Sequence, residues 1–166
     1  MKKTFAKVLL VIFAIVAVLS LCSCANSNVI AQPVPDEGAE ISEITGKCIA
    51  YQISEDQIRV YGETNLMPGT VFMLSLDTYA GEHITDKVFS MPEDRNNFGY
   101  DFTVDAKKYG GEIYASIVCV PSENGKQPKD VQEKYGKSLQ NIGGEYVIWN
   151  PAGNCAVIMS DPVFFA

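Results

Sequence analysis

His83 is the one histidine of the chain, so any Ser/His/Asp chemistry has to run through it. It ends the segment Tyr79-Ala80-Gly81-Glu82-His83, whose glycine and polarity place it in a loop between strands. A triad sets a serine on one imidazole nitrogen and a carboxylate on the other. No serine of this chain lies in the Gly-x-Ser-x-Gly elbow that presents a nucleophile. A lone loop histidine is expected to be solvated, and no catalytic residue is assigned. Asp101 and Asp105 flank a strand at a spacing of four, which sets them about 13 Å apart on one face. Paired glycosidase carboxyls lie about 5 to 9.5 Å apart, so this pair does not suit that reaction. Glu93-Asp94-Arg95-Asn96-Asn97 is rich in oxygen, but it lacks the Asp-x-Asp-x-Asp-Gly spacing, and Arg95 opposes a cation. It is expected to be a solvated turn. No Cys-x-x-Cys or Cys/His spacing suggests zinc. No metal and no cofactor is expected.

Recognition remains. Trp149 is the only tryptophan and stands beside the Asn150-Pro151 turn. Exposed aromatic rings on sheets or loop tips bind sugars, peptides or partner proteins. Trp149, Tyr146 and Tyr61 are therefore the candidate binding residues. The competing expectation is that Trp149 packs over its hairpin as minor core, since large aromatics are mostly buried.

The elements that must position these residues are short and β-prone. Lys47 to Ile53 alternates, with Ile49, Tyr51 and Ile53 on one face. Gln57 to Gly62 sets Ile58 and Val60 inward. Met67-Pro68-Gly69-Thr70 has turn chemistry, since proline presets one dihedral and glycine admits positive φ. Val71 to Asp77 shares Phe72, Leu74 and Leu76 on one face, and Phe98 to Val104 shares Phe98, Tyr100, Phe102 and Val104. Glu112 to Val120 is apolar on both faces, the mark of a central strand. A short helix is expected with Asp130 as cap, Glu133 reaching back, Val131 and Tyr135 meeting at i, i+4, and Gly136 ending it. Asn150-Pro151-Ala152-Gly153 turns a terminal hairpin, and Val163-Phe164-Phe165 packs back on the domain. Seven to eight short strands with one short helix predict an all-β antiparallel sandwich, with a small β-barrel as the alternative.

The start of the chain has another character. Lys2, Lys3 and Lys7 precede an apolar run from Val8 to Leu21, the pattern of a secretory leader. The run is short for a membrane span, which needs about 20 residues. Leu21-Cys22-Ser23-Cys24 resembles the lipobox of bacterial lipoproteins. That resemblance implies cleavage before Cys24 and a diacylglyceryl group on its thiol. Two acyl chains give a stable anchor at about 0.8 kcal/mol per buried CH₂. Cleavage takes three of the 13 basic side chains and none of the 20 acidic ones, moving the formal charge from −7 to −10. Such a surface repels phosphate backbones, so nucleic acid is not an expected partner. Residues 24–44 are acidic and rich in Pro, Ser and Asn, with no base and no apolar pattern, and read as an extended tether. The chain thus divides into a leader at 1–23, the tether at 24–44 and one β domain at 45–166.

Once Cys24 carries lipid, Cys48, Cys119 and Cys155 are left in the domain. An exported odd set makes at most one bridge. Cys48 with Cys155 is the favoured pair, because first and last strands of a sandwich often adjoin. The other expectation is three small buried hydrophobes.

Gly62-Glu63-Thr64-Asn65-Leu66-Met67-Pro68-Gly69-Thr70 with Leu74-Ser75-Leu76, and Val131-Gln132-Glu133-Lys134-Tyr135-Gly136 with Leu139, resemble immunoglobulin-like sandwich domains of exported proteins of Gram-positive bacteria. The resemblance implies a fold and brings no catalytic residues. Together these features lead us to expect a lipoprotein on the outer face of the bacterial cytoplasmic membrane. Its β-sandwich would be a binding or interaction module without catalysis, and its partner an envelope protein or polysaccharide. The alternatives are an enzyme acting on cell-wall or extracellular polymer and a structural spacer in an envelope complex.

Overall fold

The computed structural model describes residues 32–121 and 127–165. The leader, Cys24 and the first part of the tether lie outside them. The described chain runs β1 (Ser42–Glu43), β2 (Gly46–Ser54), β3 (Gln57–Thr64), β4 (Val71–Thr78), β5 (His83–Ser90), β6 (Asn97–Thr103), α1 (Ala106–Tyr109), β7 (Gly111–Cys119), α2 (Lys129–Tyr135), β8 (Ile142–Gly143), β9 (Val147–Asn150), β10 (Gly153–Met159) and β11 (Val163–Phe165).

A six-stranded sheet is ordered β5-β4-β7-β10-β9, with β11 also on β7. A three-stranded sheet is ordered β2-β3-β6. Their pairings are antiparallel; the two-residue pair of β1 and β8 is parallel. The sheets face each other without joining, which makes the molecule an all-β sandwich and not a closed barrel. Eight strands have four or more residues, and β1, β8 and β11 are shorter additions.

The large sheet follows its alternation. Phe72, Leu74 and Leu76 of β4 face the core, as do Ile113, Ala115, Ile117 and Cys119 of β7. β7 is central and pairs with β4, β10 and β11. Phe165 of β11 is fully buried. Between the sheets, Phe72 meets Phe98 with ring centroids 4.6 Å apart, and Phe89 meets Tyr100 edge-on at 5.4 Å. Such pairs contribute about 0.5–1.5 kcal/mol beyond their area.

The Met67–Thr70 turn forms as its chemistry requires, with Thr70 N–H bonded to Met67 O at 3.1 Å and Gly69 at φ +81°. Proline followed by a positive-φ glycine defines type II. The Asn150–Gly153 hairpin also forms, and Asn150 Oδ1 holds Ala152 N–H at 2.7 Å.

β2 keeps Ile49, Tyr51 and Ile53 on one face as expected, and that face is turned away from the core, with Cys48 and Ala50 inward. Other expectations need correction. The α2 cap is Pro128, not Asp130, and it makes no side-chain cap bond. Asp130 lies inside the first turn, favourable to the helix dipole. Val131 and Tyr135 are buried one turn apart, and Gly136 at φ +82° ends the helix, as expected. A second helix, the single turn α1, is capped by Asp105, which accepts from Lys107 N–H at 3.0 Å.

The tether's described end is part of the domain. Asp36 takes Asn141 Nδ2–H at 2.8 Å, and Asp36 N–H bonds Asn141 Oδ1 at 2.9 Å. β1 follows, and Ile44 is fully buried. A free spacer can therefore extend only up to about Pro35, not to residue 44. The buried amide of Asn141, a partner far along the chain, does what local composition does not announce.

Candidate functional site

On the outer face of the large sheet the β4–β5 hairpin brings polar groups together. Its register sets Ser75 opposite Asp86 and Asp77 opposite His83. His83 Nδ1 lies 3.1 Å from Asp77 Oδ1 and 3.4 Å from Ser75 Oγ. Its Nε2 lies 3.1 Å from Asp86 Oδ1. Ser75 gives its own O–H to Asp77 Oδ2 at 2.7 Å. The histidine opens β5 instead of lying in a loop, and its side chain is half-exposed to solvent, as expected.

This is not a nucleophilic triad. Serine and aspartate share one ring nitrogen, a second aspartate takes the other, and the serine proton points to a carboxylate. Both ring nitrogens face carboxylate oxygens. The ring bridges two carboxylates instead of standing ready to accept a proton from Ser75. Nor do the three groups converge on one point: the carboxylates sit on opposite edges of the ring. Among the described residues no cluster of three His, Cys, Asp or Glu is arranged to hold a metal.

Across from Asp77 on β7 stands Tyr114. It is 4% exposed, and its hydroxyl has no hydrogen-bond partner. Burial, and then the charge of Asp77, push its phenol up to about 12. Buried polar groups are nearly always paired, so this hydroxyl calls for explanation.

The next cross-strand row on that face is apolar. Val88, Met73, Val118 and Val157 follow one another across β5, β4, β7 and β10. Val88 is 41% exposed.

The small sheet has its own outer face. Ile49, Tyr61 and Gly99 form one cross-strand row, and Tyr51, Arg59 and Asp101 the next. Arg59 holds both oxygens of Asp101 at 2.6 Å, a bidentate pair. Those bonds, and then one that Arg59 gives the Tyr51 hydroxyl, raise the guanidinium pKa, and the bonds from Arg59 lower that of Asp101. Tyr51 and Ile53 are 43% and 38% exposed. Asp101 and Asp105 are thus occupied separately, one by Arg59 and one by the α1 cap.

The three aromatic candidates do not share a patch. Tyr61 lies on the small sheet. Trp149, 39% exposed, lies on β9 at the edge of the large sheet, opposite Asn154. Tyr146, just before β9, packs half-buried against the core beside it. The side chain of Glu145 raises its phenol pKa through a hydrogen bond. Tyr51, which the sequence left unmarked, joins Tyr61 instead. The β2–β3 hairpin register was the signal available for that pairing. Two shallow polar hollows, one around Asp36, Glu40 and Glu133 and one around Lys47, Glu63 and Asn96, contain none of these rings.

Cys48, Cys119 and Cys155 are buried and no disulfide joins them, so the Cys48–Cys155 bridge does not form among the described residues. Cys48 points into the core from β2, whereas Cys155 points from β10 to the opposite face, where Asn150 Nδ2–H reaches its sulfur at 2.9 Å. Burial pushes the Cys48 and Cys119 thiols up to about 12, which leaves no thiolate at neutral pH. Glu93 to Asn96 form a bend of exposed side chains, as expected, and Asn97 opens β6. Among the described residues no helix is long and apolar enough to cross a membrane.

Compared with known proteins, the chain matches no family model and no curated sequence.

Proposed function

We propose that the protein is a bacterial lipoprotein, held at the outer face of the cytoplasmic membrane through Cys24, whose immunoglobulin-like sandwich is an interaction module without catalysis. The observation that carries this reading is the direction of β2. Its larger apolar side chains, Ile49, Tyr51 and Ile53, are turned to the outside, while the small Cys48 and Ala50 fill the inside. With Tyr61 they make an aromatic and aliphatic face that folding alone does not require. Tyrosine and arginine are the residue types that dominate binding energy at interfaces, and Tyr51 and Arg59 lie side by side here. The carboxylate-clamped His83 adds support, since the one histidine is engaged in holding a hairpin.

An envelope protein or a wall polysaccharide is the partner of this face. The double variant Tyr51→Ser, Tyr61→Ser is expected to fold and to lose about tenfold or more in binding to purified wall polymer or envelope extract. Unchanged retention would remove the face from the account. For the anchor, Cys24→Ser is expected to abolish incorporation of labelled palmitate and to release the protein from the membrane fraction. Retention of label would refute lipidation at that thiol.

A further inference from the structure

On the reading that the outer face of the small sheet is the recognition surface, we infer that Tyr61 and Gly99, beside the Arg59–Asp101 pair, bind an uncharged pyranose unit of a polysaccharide. Gly99 stands in the middle of β6, exposed on that face and directly opposite Tyr61. A glycine inside a strand weakens it and calls for a reason. Left-handed backbone is not the reason, because its φ is not positive. A bulge is not, because the β3–β6 register runs through it unshifted. Crowding within the fold is not, because a Cβ there would meet only Val60 O, at an ordinary 3.7 Å. No atom of Tyr61 comes within 4 Å of that position, so the ring does not fold over it. The missing side chain leaves open space beside a partly exposed ring, where a group from outside the chain can approach.

The polar groups around this notch match hydroxyls. The next row, about 7 Å along the strands, is Tyr51, Arg59 and Asp101. Arg59 gives two N–H groups to Asp101 and one to Tyr51, and keeps others. Each Asp101 oxygen keeps a lone pair. A fixed donor beside a fixed acceptor is the complement of two neighbouring sugar hydroxyls, each of which gives and accepts. The row on the other side is Lys47, Glu63 and Asn97. Across these rows Lys47 and Arg59 balance Glu63 and Asp101, so the patch is neutral on a chain of formal charge −7. An anionic polymer is repelled by the remainder of the chain, and a cationic one meets Lys47 and Arg59. The apolar face of a pyranose packs on Tyr61 and enters the space over Gly99.

The full chain, in a detergent without a sugar headgroup, is titrated calorimetrically with cellohexaose, chitohexaose, mannohexaose and polygalacturonate. Saturable binding of at least one of the three neutral oligosaccharides is expected, and none of polygalacturonate. Gly99→Val fills the notch with a good strand former, so the urea midpoint is expected to hold or rise. Binding of the same oligosaccharide is expected to fall about tenfold or more in that variant. Asp101→Ala is expected to weaken it as well, with circular dichroism unchanged. No binding of any neutral oligosaccharide, binding of polygalacturonate, or equal binding by wild type and Gly99→Val overturns the inference. Retention on envelope extract separates this failure from failure of the face. Where Tyr51→Ser, Tyr61→Ser loses retention and Gly99→Val keeps it, the partner is a protein and the glycan inference alone falls. Where neither loses it, the face falls too.

Discussion

Asp36 and Asn141, 105 residues apart in sequence, close a reciprocal pair: the backbone N–H of one and the side-chain amide of the other donate in opposite directions. The pair makes residues 36–44 a docked strap. Hydrogen bonds from Gln140 and then Asn141 lower the pKa of the Asp36 carboxyl below its ordinary 3.8. The folded value is the lower one, so the contribution is present above the unfolded value and is lost as pH falls through the folded one. Amide exchange at residues 36–44 is therefore expected to stay slow from neutrality down to about pH 4 and to rise below it, ahead of exchange in β7. Asn141→Ala is expected to free the same segment at neutral pH and to cost about 1–3 kcal/mol in denaturant unfolding.

The two faces of β2 and β3 should separate cleanly by substitution. Ile58 is fully buried, and Ile58→Ala is expected to lower unfolding free energy by about 2–5 kcal/mol. Ile53 is 38% exposed, and Ile53→Ala is expected to stay within about 0.5 kcal/mol. Urea titration followed by far-ultraviolet dichroism checks both.

Gly46 is a close approach of backbones. A Cβ there would lie 2.5 Å from Glu63 O and 2.6 Å from Ile158 Cδ1. The carbonyl belongs to the β2–β3 ladder and cannot give way. Gly46→Ala is expected to cost about 1–3 kcal/mol, measured as a fall in the urea midpoint at constant slope.

The three thiols should behave as core atoms. Cys48, Cys119 and Cys155 are expected to resist maleimide at neutral pH in the folded protein and to react after denaturation, read by mass spectrometry. The melting temperature is expected to be the same with and without reductant.

Much of the sandwich was legible because its alternation is strong where both faces are packed. β7 reads as central from Ile113, Ala115 and Ile117 against Tyr114, Ser116 and Val118, and it is central. In β2 the alternation gave the shared face of Ile49, Tyr51 and Ile53 but not which face is inner. Here Gly46 approaches β10 so closely that only small residues fit the inner face, and the large ones go out. The docked strap was hidden because its partners lie far along the chain, and acidic, proline-rich composition resembles a spacer. The clamp on His83 was within reach: Gly81 marks a tight hairpin, and pairing the flanking strands sets Asp77 against His83. What hid it was reading His83 as a loop residue without that register. The split of Trp149 and Tyr146 from Tyr61 follows from sheet membership, which strand periodicity does not reveal.

The central claim is recognition through the outward β2–β3 face. Site-specific photo-crosslinking in living cells tests it, with the probe at Tyr51 or, as control, at Glu133, an exposed residue of α2. The account predicts one discrete, reproducible adduct from position 51 and none from position 133. No adduct at position 51, or the same products from both positions, would contradict it.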